Sequence, residues 1–366
     1  MIPSYKPYFT KDSLKYAHEA IDSTWISSHG KYLPKVKNLL EKINDVNYVI
    51  VTNNGTAANH LMAIALKFKY PNIKNLIVPS NVYVAAWNMF LSNPIYNLIP
   101  VDSDIETWNP NFYELEKAYK IYNKNTAFLA VHNVGNITPI HEIKKRFPEW
   151  IILEDNAQGF GGKYNNKISG SDSFVSAVSF YGNKTITTGE GGMFCTNDEE
   201  VFKYIDKARS HFISEEKFIF SNLGYNYRMT NIAAAILLGQ LECFKEIQDK
   251  KKKIIDQYKE ELSYIQSIKF QKEEINTTHS NWMFSIRFEN KAKEKIDKLK
   301  AYLLKNNIES RPMFPPINYH KHLSKYGDNF PISKKIYETA IILPSYPDLL
   351  SINISYICDG IKKFKI

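Results

Sequence analysis

Between Tyr48 and Leu153 the chain alternates short β-branched runs with amphipathic stretches, and few architectures accept that alternation. Strands are expected at Tyr48–Val51, Asn75–Pro79, Ile95–Val101, Thr126–Val131 and Trp150–Leu153. Helical stretches fall between them: Gly55–Phe68, Val82–Leu91, Phe112–Tyr119 and Pro139–Phe147. The pattern predicts an α/β fold, a mostly parallel central sheet with helices on both faces. Phe174–Phe180 and Gly192–Thr196 are two further strands flanking a Gly-rich turn, a hairpin-like return into the same sheet. Ile232–Leu262 reads as one long helix or two, Trp282–Phe288 as strand and Ala292–Lys305 as helix. A boundary near Leu241–Lys250 divides a large unit, residues 1–245 with an N-terminal arm, from a smaller C-terminal α+β unit, residues 246–366.

The 366 residues suit a large domain plus a smaller one, and 44% apolar content builds a core without staples. Cys195, Cys243 and Cys358 lie far apart with no Cys-x-x-Cys spacing, which argues against a zinc site or disulfide framework. The N-terminus lacks a signal-like apolar core, and no apolar run spans a bilayer, so a cytoplasmic protein without a membrane partner is expected. The charge of +9 comes from 47 basic and 38 acidic residues. It is scattered without aromatic interleaving, so no nucleic-acid partner is expected. The one run, Lys250–Lys253, reads as a helix surface.

Four segments carry chemistry. Thr52-Asn-Asn-Gly-Thr-Ala-Ala58 joins a strand to a helix, where free amides at Gly55, Thr56 and Ala57 attract a phosphate. A plain cap by Asn54 or Thr56 is the alternative. Leu153-Glu-Asp-Asn-Ala-Gln158 places two carboxylates at a strand end, and alternation sends Glu154 and Asp155 to opposite faces. One can then enter a site, where a carboxylate against a pyridine nitrogen would keep it protonated. Gln158 is placed to hydrogen-bond a ring hydroxyl.

Ser179-Phe-Tyr-Gly-Asn-Lys184 is the most informative stretch. Lys184 follows a buried strand and is poorly solvated, which favours the neutral amine that a Schiff base requires. Ser179 is placed to reach the same phosphate as Thr56, while Gly189, Gly191 and Gly192 would admit a flat ligand. Last, Leu223-Gly-Tyr-Asn-Tyr-Arg-Met-Thr-Asn231 offers Asn226 and Arg228 as phosphate contacts, against a plain helix start capped by Thr230 or Asn231. No G-x-G-x-x-G fingerprint follows any strand, which argues against a dinucleotide oxidoreductase.

In this order the four segments resemble the sugar-nucleotide aminotransferase family, fold-type I enzymes using pyridoxal 5′-phosphate (PLP). The resemblance extends through Ser23–Ser28, Val78–Tyr83, Val131–Gly135, Glu309–Phe314 and Leu343–Pro347. It implies that Lys184 forms the Schiff base, Asp155 partners the pyridine nitrogen and Gln158 sits beside the ring hydroxyl. It assigns Gly55, Thr56, Ala57 and Ser179 to a phosphate cup, and Tyr83 to stacking on the ring. Asn226 would reach the phosphate of a neighbouring subunit, implying a homodimer with shared sites.

The resemblance also implies ping-pong chemistry with glutamate as donor and pyridoxamine phosphate (PMP) as intermediate. Lysine at 184, where dehydratase relatives carry histidine, supports transamination. Trp25, Ser27 and Arg311 resemble residues of enzymes that aminate carbon 4 of a 4-keto-6-deoxyhexose linked to UDP, dTDP or GDP, giving viosamine- or perosamine-type sugars. Arg228, Tyr319 and His320 are further substrate candidates, though Arg311 also suits a salt bridge and His320 a packed position. Departures at Val134, Asn136 and Ile137 fall where an aromatic and a proline are common. A 3-keto sugar aminotransferase and a non-catalytic PLP-fold sensor or regulator are the alternative readings.

Overall fold

The computed structural model describes all residues except 93–95, 215, 217, 328 and 365–366. Two helices open the chain, α1 (Lys11–Asp22) and α2 (Tyr32–Asn44). The alternating stretch follows: β1 (Tyr48–Thr52), α3 (Gly55–Lys69), β2 (Asn75–Pro79), α4 (Ala85–Leu91), β3 (Asn97–Val101), α5 (Phe112–Ile121), β4 (Thr126–Val131), α6 (Ile140–Arg146) and β5 (Ile151–Asp155). The short ribbons β6 (Lys163–Tyr164) and β7 (Lys167–Ile168) precede β8 (Val175–Ser179), β9 (Gly192–Thr196) and α7 (Glu199–Ala208). Then come α8 (Asn231–Glu242), α9 (Phe244–Leu262), β10 (Ile268–Phe270), β11 (Thr277–Thr278), β12 (Phe284–Phe288) and α10 (Lys293–Lys305). The chain closes with β13 (Arg311–Pro312), α11 (Pro331–Thr339), β14 (Ala340–Leu343) and α12 (Ser351–Lys363).

Seven strands form the main sheet in the order β1-β9-β8-β5-β4-β2-β3. Pairing is parallel from β8 to β3, while β9 runs antiparallel to both β1 and β8. The sheet is therefore mostly parallel, with the expected hairpin-like return between β8 and β9. All six residues of β4 are buried, the burial expected when helices cover both faces. Burial of Phe128, Leu129 and Val131 contributes about 1.5–3 kcal/mol each. The expected start of the third strand at residue 95 lies outside the described residues.

The helices follow from local sequence. Asn54 caps α3 by accepting from the Ala57 N–H at 2.8 Å, and Ala58, Leu61, Met62, Ala65 and Leu66 then form the buried stripe. The segment 231–262 resolves into two helices broken at Cys243, with Thr230 capping the first. Helix α8 is apolar all round and lies against α1, where a Cβ on Gly239 would stand 2.2 Å from the Ser13 nitrogen. Two helices meeting that closely leave no room for a side chain.

A second, antiparallel sheet has the order β10-β12-β14-β13 and packs with α9, α10 and α12 over a cluster built from residues between Ile254 and Ile361. The strand expected from Trp282 starts at Phe284, so Trp282 and Met283 stay outside the sheet and line the cleft between the two parts.

The reading of Lys250–Lys253 as helix surface needs correction at one position. Lys252 and Lys253 are exposed, but Lys251 is buried and donates to the Trp282 carbonyl at 2.8 Å and to the Ser345 carbonyl. Basic residues in a row cannot all face outward at 3.6 residues per turn. Burial pushes the Lys251 amine down from 10.5 to about 7. Below about pH 7 both folded and unfolded chains hold this proton; between there and the ordinary lysine range only the unfolded chain does. Stability arising from this site must therefore rise with pH across that interval, by at most about 1.4 kcal/mol per unit. Urea unfolding of wild type and Lys251→Met at several pH values should show their difference climbing from pH 7 upward. A flat difference would refute the assignment.

Candidate active site

Three of the parallel strands, β4, β5 and β8, deliver one residue each to a cleft at their carboxyl ends, the usual ligand position in open α/β sheets. Val131 ends β4, Asp155 ends β5 and Ser179 ends β8; all three line the cleft. Thr56 and Gly55 enter from the first turn of α3, and Lys184 from the β8–β9 connection. The cleft measures about 750 Å³, and its outer wall is Trp282, Met283, Arg311 and Phe314.

Asp155 is the buried charge of the site. Its Oδ1 accepts from the Ala157 N–H at 3.0 Å and its Oδ2 from the Asn59 amide at 2.9 Å. Burial pushes its carboxyl above the ordinary range; those two donors and the Lys184 charge pull the other way. Glu154 points to the opposite face, as alternation requires. It accepts from the His132 Nε2 at 3.0 Å and the Gly170 N–H at 3.0 Å. The Thr138 N–H donates to the His132 Nδ1, which leaves the proton on Nε2.

Lys184 is half-buried, and burial pushes its amine down to about 8 against the opposing pull of Asp155. Its Nζ lies 3.9 Å from the centre of the Trp282 ring, and the indole N–H donates to the Asn183 carbonyl. An ammonium is attracted to such a ring face. The lysine thus has a seat when nothing else holds it, and gives up its proton more readily than an ordinary lysine.

Gly55 packs against Ser179 so closely that a Cβ would lie 2.6 Å from the Ser179 Cβ and 2.9 Å from its Oγ. This cradle leaves the helix start and the serine hydroxyl facing one small space. Ala57 is not part of it: its N–H is already given to Asn54, and it does not line the cleft. Gln158 lines the cleft, and its oxygen accepts from Val134 N–H at 2.7 Å. Its NH₂ is the group left to donate to a ligand. Val134 adopts φ 59°, costly for a β-branched residue, in a buried loop that fixes Gln158.

Tyr83, Arg311 and His320 also line the cleft. Tyr83 meets Phe314 edge-on, and Arg311 lies over the Tyr5 ring at 4.6 Å and 3.7 Å from Glu309. The remaining candidates stand apart. Trp25 and Ser27 are exposed, and their carbonyls accept from Asn231. Arg228 donates to Asn226 at 3.0 Å, and neither lines the cleft; Tyr319 packs against Tyr337. Gly189, Gly191 and Gly192, expected to border a flat ligand, are not among the lining residues.

Asn59 and Trp282 were not singled out by the sequence. Asn59 looks like any polar residue inside a helix; its one signal is a place four residues after Gly55, on the same face.

The DegT/DnrJ/EryC1/StrS aminotransferase family model matches residues 7–362. The chain belongs to this family. It is 36% identical to the GDP-perosamine synthase of Escherichia coli O157:H7, over 99% of this chain and 98% of that protein. It is 33% identical to the GDP-perosamine synthase of Vibrio cholerae, over 100% and 99%. The fold matches the Helicobacter pylori aminotransferase PseC at a TM-score of 0.92 and 22% identity, covering 99% of this chain and 98% of that one. Solved chains of the same fold carry hydrated PLP or the PMP form. The protein is a PLP-dependent aminotransferase.

The residues present fit that cofactor: an amine and a buried carboxylate share the cleft with a cradle a Cβ would fill. Among the described residues no helix is long and apolar enough to cross a membrane, and no cluster of His, Cys, Asp or Glu is placed to hold a metal. Gly55→Ala should weaken PLP binding about tenfold or more while the folded state persists, since the new methyl closes the cradle. Absorbance titration of the apoprotein checks this; unchanged affinity would remove the cradle from the site.

Proposed function

We propose that this enzyme transfers an amino group from glutamate to carbon 4 of a GDP-linked 4-keto-6-deoxyhexose, giving a perosamine-type sugar. What carries the reading is the meeting of Lys184, Asp155 and Ser179 in one cleft whose open side holds Arg311 and His320. The full-length match to two proteins named GDP-perosamine synthase supports the GDP-linked hexose over UDP or dTDP alternatives and a 4-amino over a 3-amino product.

Roles follow from chemistry. Gly55, Thr56 and Ser179 would hold the cofactor phosphate, Tyr83 would cover its ring, and Gln158 would donate to the ring hydroxyl. Asp155 would face the ring nitrogen and keep it protonated. When bound, PLP supplies an electrophilic carbonyl for the amine and an electron sink for the carbon that loses a proton. Lys184 is the base. Its amine, more easily deprotonated than an ordinary lysine's, would take the proton from the donor's alpha carbon and release it again within the cleft. Arg311 and His320 face the sugar nucleotide.

The position of Asn226, Arg228, Trp25 and Ser27 away from their own chain's cleft supports a homodimer in which these residues complete the neighbour's site. The free cysteines Cys195, Cys243 and Cys358 suit a reducing, cytoplasmic setting.

Excess glutamate should bleach the visible band of the PLP-loaded protein, and GDP-4-keto-6-deoxymannose should restore it. Lys184→Ala should show neither change and lose turnover by at least about a thousandfold. Restoration by a 3-keto sugar nucleotide instead, or by a UDP- or dTDP-linked sugar alone, would overturn the substrate assignment.

A further inference from the structure

Asn59 sits in the second turn of α3, 3% exposed, and makes a hydrogen bond to the Oδ2 of Asp155. Its own Oδ1 has no partner among the described residues. A buried acceptor left without a donor is expensive, and an apolar side chain of the same shape would avoid that cost. The helix is otherwise lined by Ala58, Leu61, Met62, Ala65 and Leu66, so apolar occupants are tolerated along it. Keeping an amide here makes physical sense only if the NH₂ is needed where it points, at the carboxylate.

The surroundings of Asp155 show why. The carboxylate is buried, and each of its oxygens has one donor: the Ala157 N–H on Oδ1 and Asn59 on Oδ2. Donors of this kind hold the charged form in place and fix the plane of the carboxyl group. Gly55 and Asn59 lie one helical turn apart on one face, and both line the cleft. One rigid helix therefore supports the cradle with its first turn and the carboxylate with its second.

We propose that Asn59 is a positioning residue that keeps Asp155 anionic and aimed at the cofactor ring nitrogen. The inference rests on the reading of Asp155 given under Proposed function. It separates Asn59 from a merely structural part of α3 by one requirement: its contribution must depend on the ring nitrogen.

The test is the binding of two ligands to the apoprotein, PLP and an analogue whose ring nitrogen is replaced by C–H, measured by absorbance titration. Asn59→Leu and the smaller Asn59→Ala should each weaken PLP about tenfold, the scale of one hydrogen bond to a charged group, while the analogue binds as it does to wild type. Equal losses for both ligands, or no loss for either, would overturn the proposal. Should Asn59→Leu fail to fold, Asn59→Ala carries the comparison. Asp155→Asn serves as the reference. If it fails to discriminate between the ligands, the assignment of Asp155 falls and this inference with it. If it discriminates and the Asn59 variants do not, only this inference falls.

Discussion

A buried carboxylate costs several kcal/mol unless donors or a cation meet it, and the centre of this molecule is arranged around that demand. Asp155 ends β5, the middle of the seven strands, and is only 5% exposed where it meets the cleft. The turn after it supplies Ala157 N–H, α3 supplies Asn59, and the β8–β9 connection brings the Lys184 charge near. Each of these pulls the carboxyl back toward its charged form against the effect of burial. The requirement runs both ways, since the same desolvation that strains Asp155 lowers the proton affinity of Lys184. Burial in one cleft thus produces both an acid that holds its charge reluctantly and a base that gives up its own.

The second sheet lines this cleft directly, through Arg311 and Pro312 of β13 and Ile342 of β14. Trp282 seats Lys184, and its carbonyl is tied to Lys251 on α9. Arg311 comes from the edge strand β13 and is steadied by Tyr5 of the N-terminal arm. That arm also pairs Ile2 with Ile308. Residues far apart in sequence thus brace the face on which a second substrate would lie.

What could be read in advance divides along physical lines. The sheet order of events, strand then helix, was legible because period-2 and period-3.6 patterns are local. Asp155, Ser179 and Lys184 were legible as strand-end or post-strand residues whose chemistry has few other uses. Lys251 was misread because a run of four lysines hides the one that faces inward. Trp282 was absorbed into a strand that begins two residues later. Asn59 gave no sign, since its value lies in a partner almost a hundred positions away, which no local pattern reports. Val134 was noticed as a departure, but its φ of 59° and its N–H to Gln158 belong to tertiary structure alone.

Strand β9 lies between β1 and β8 and is the only antiparallel member of the main sheet, so it has a consequence during synthesis. Among the described residues the Tyr48-Val-Ile-Val-Thr52 strand pairs in that sheet with β9 alone, so the edge it pairs through stays open until residues 192–196 have been made. Such an edge is an invitation to pair with other chains. The same late strand ends the connection carrying Lys184, and its Gly192 pairs with both Thr52 and Ser179. Pairing of this one late strand therefore covers an edge of β1 and fixes the end of the Lys184 connection in the same event.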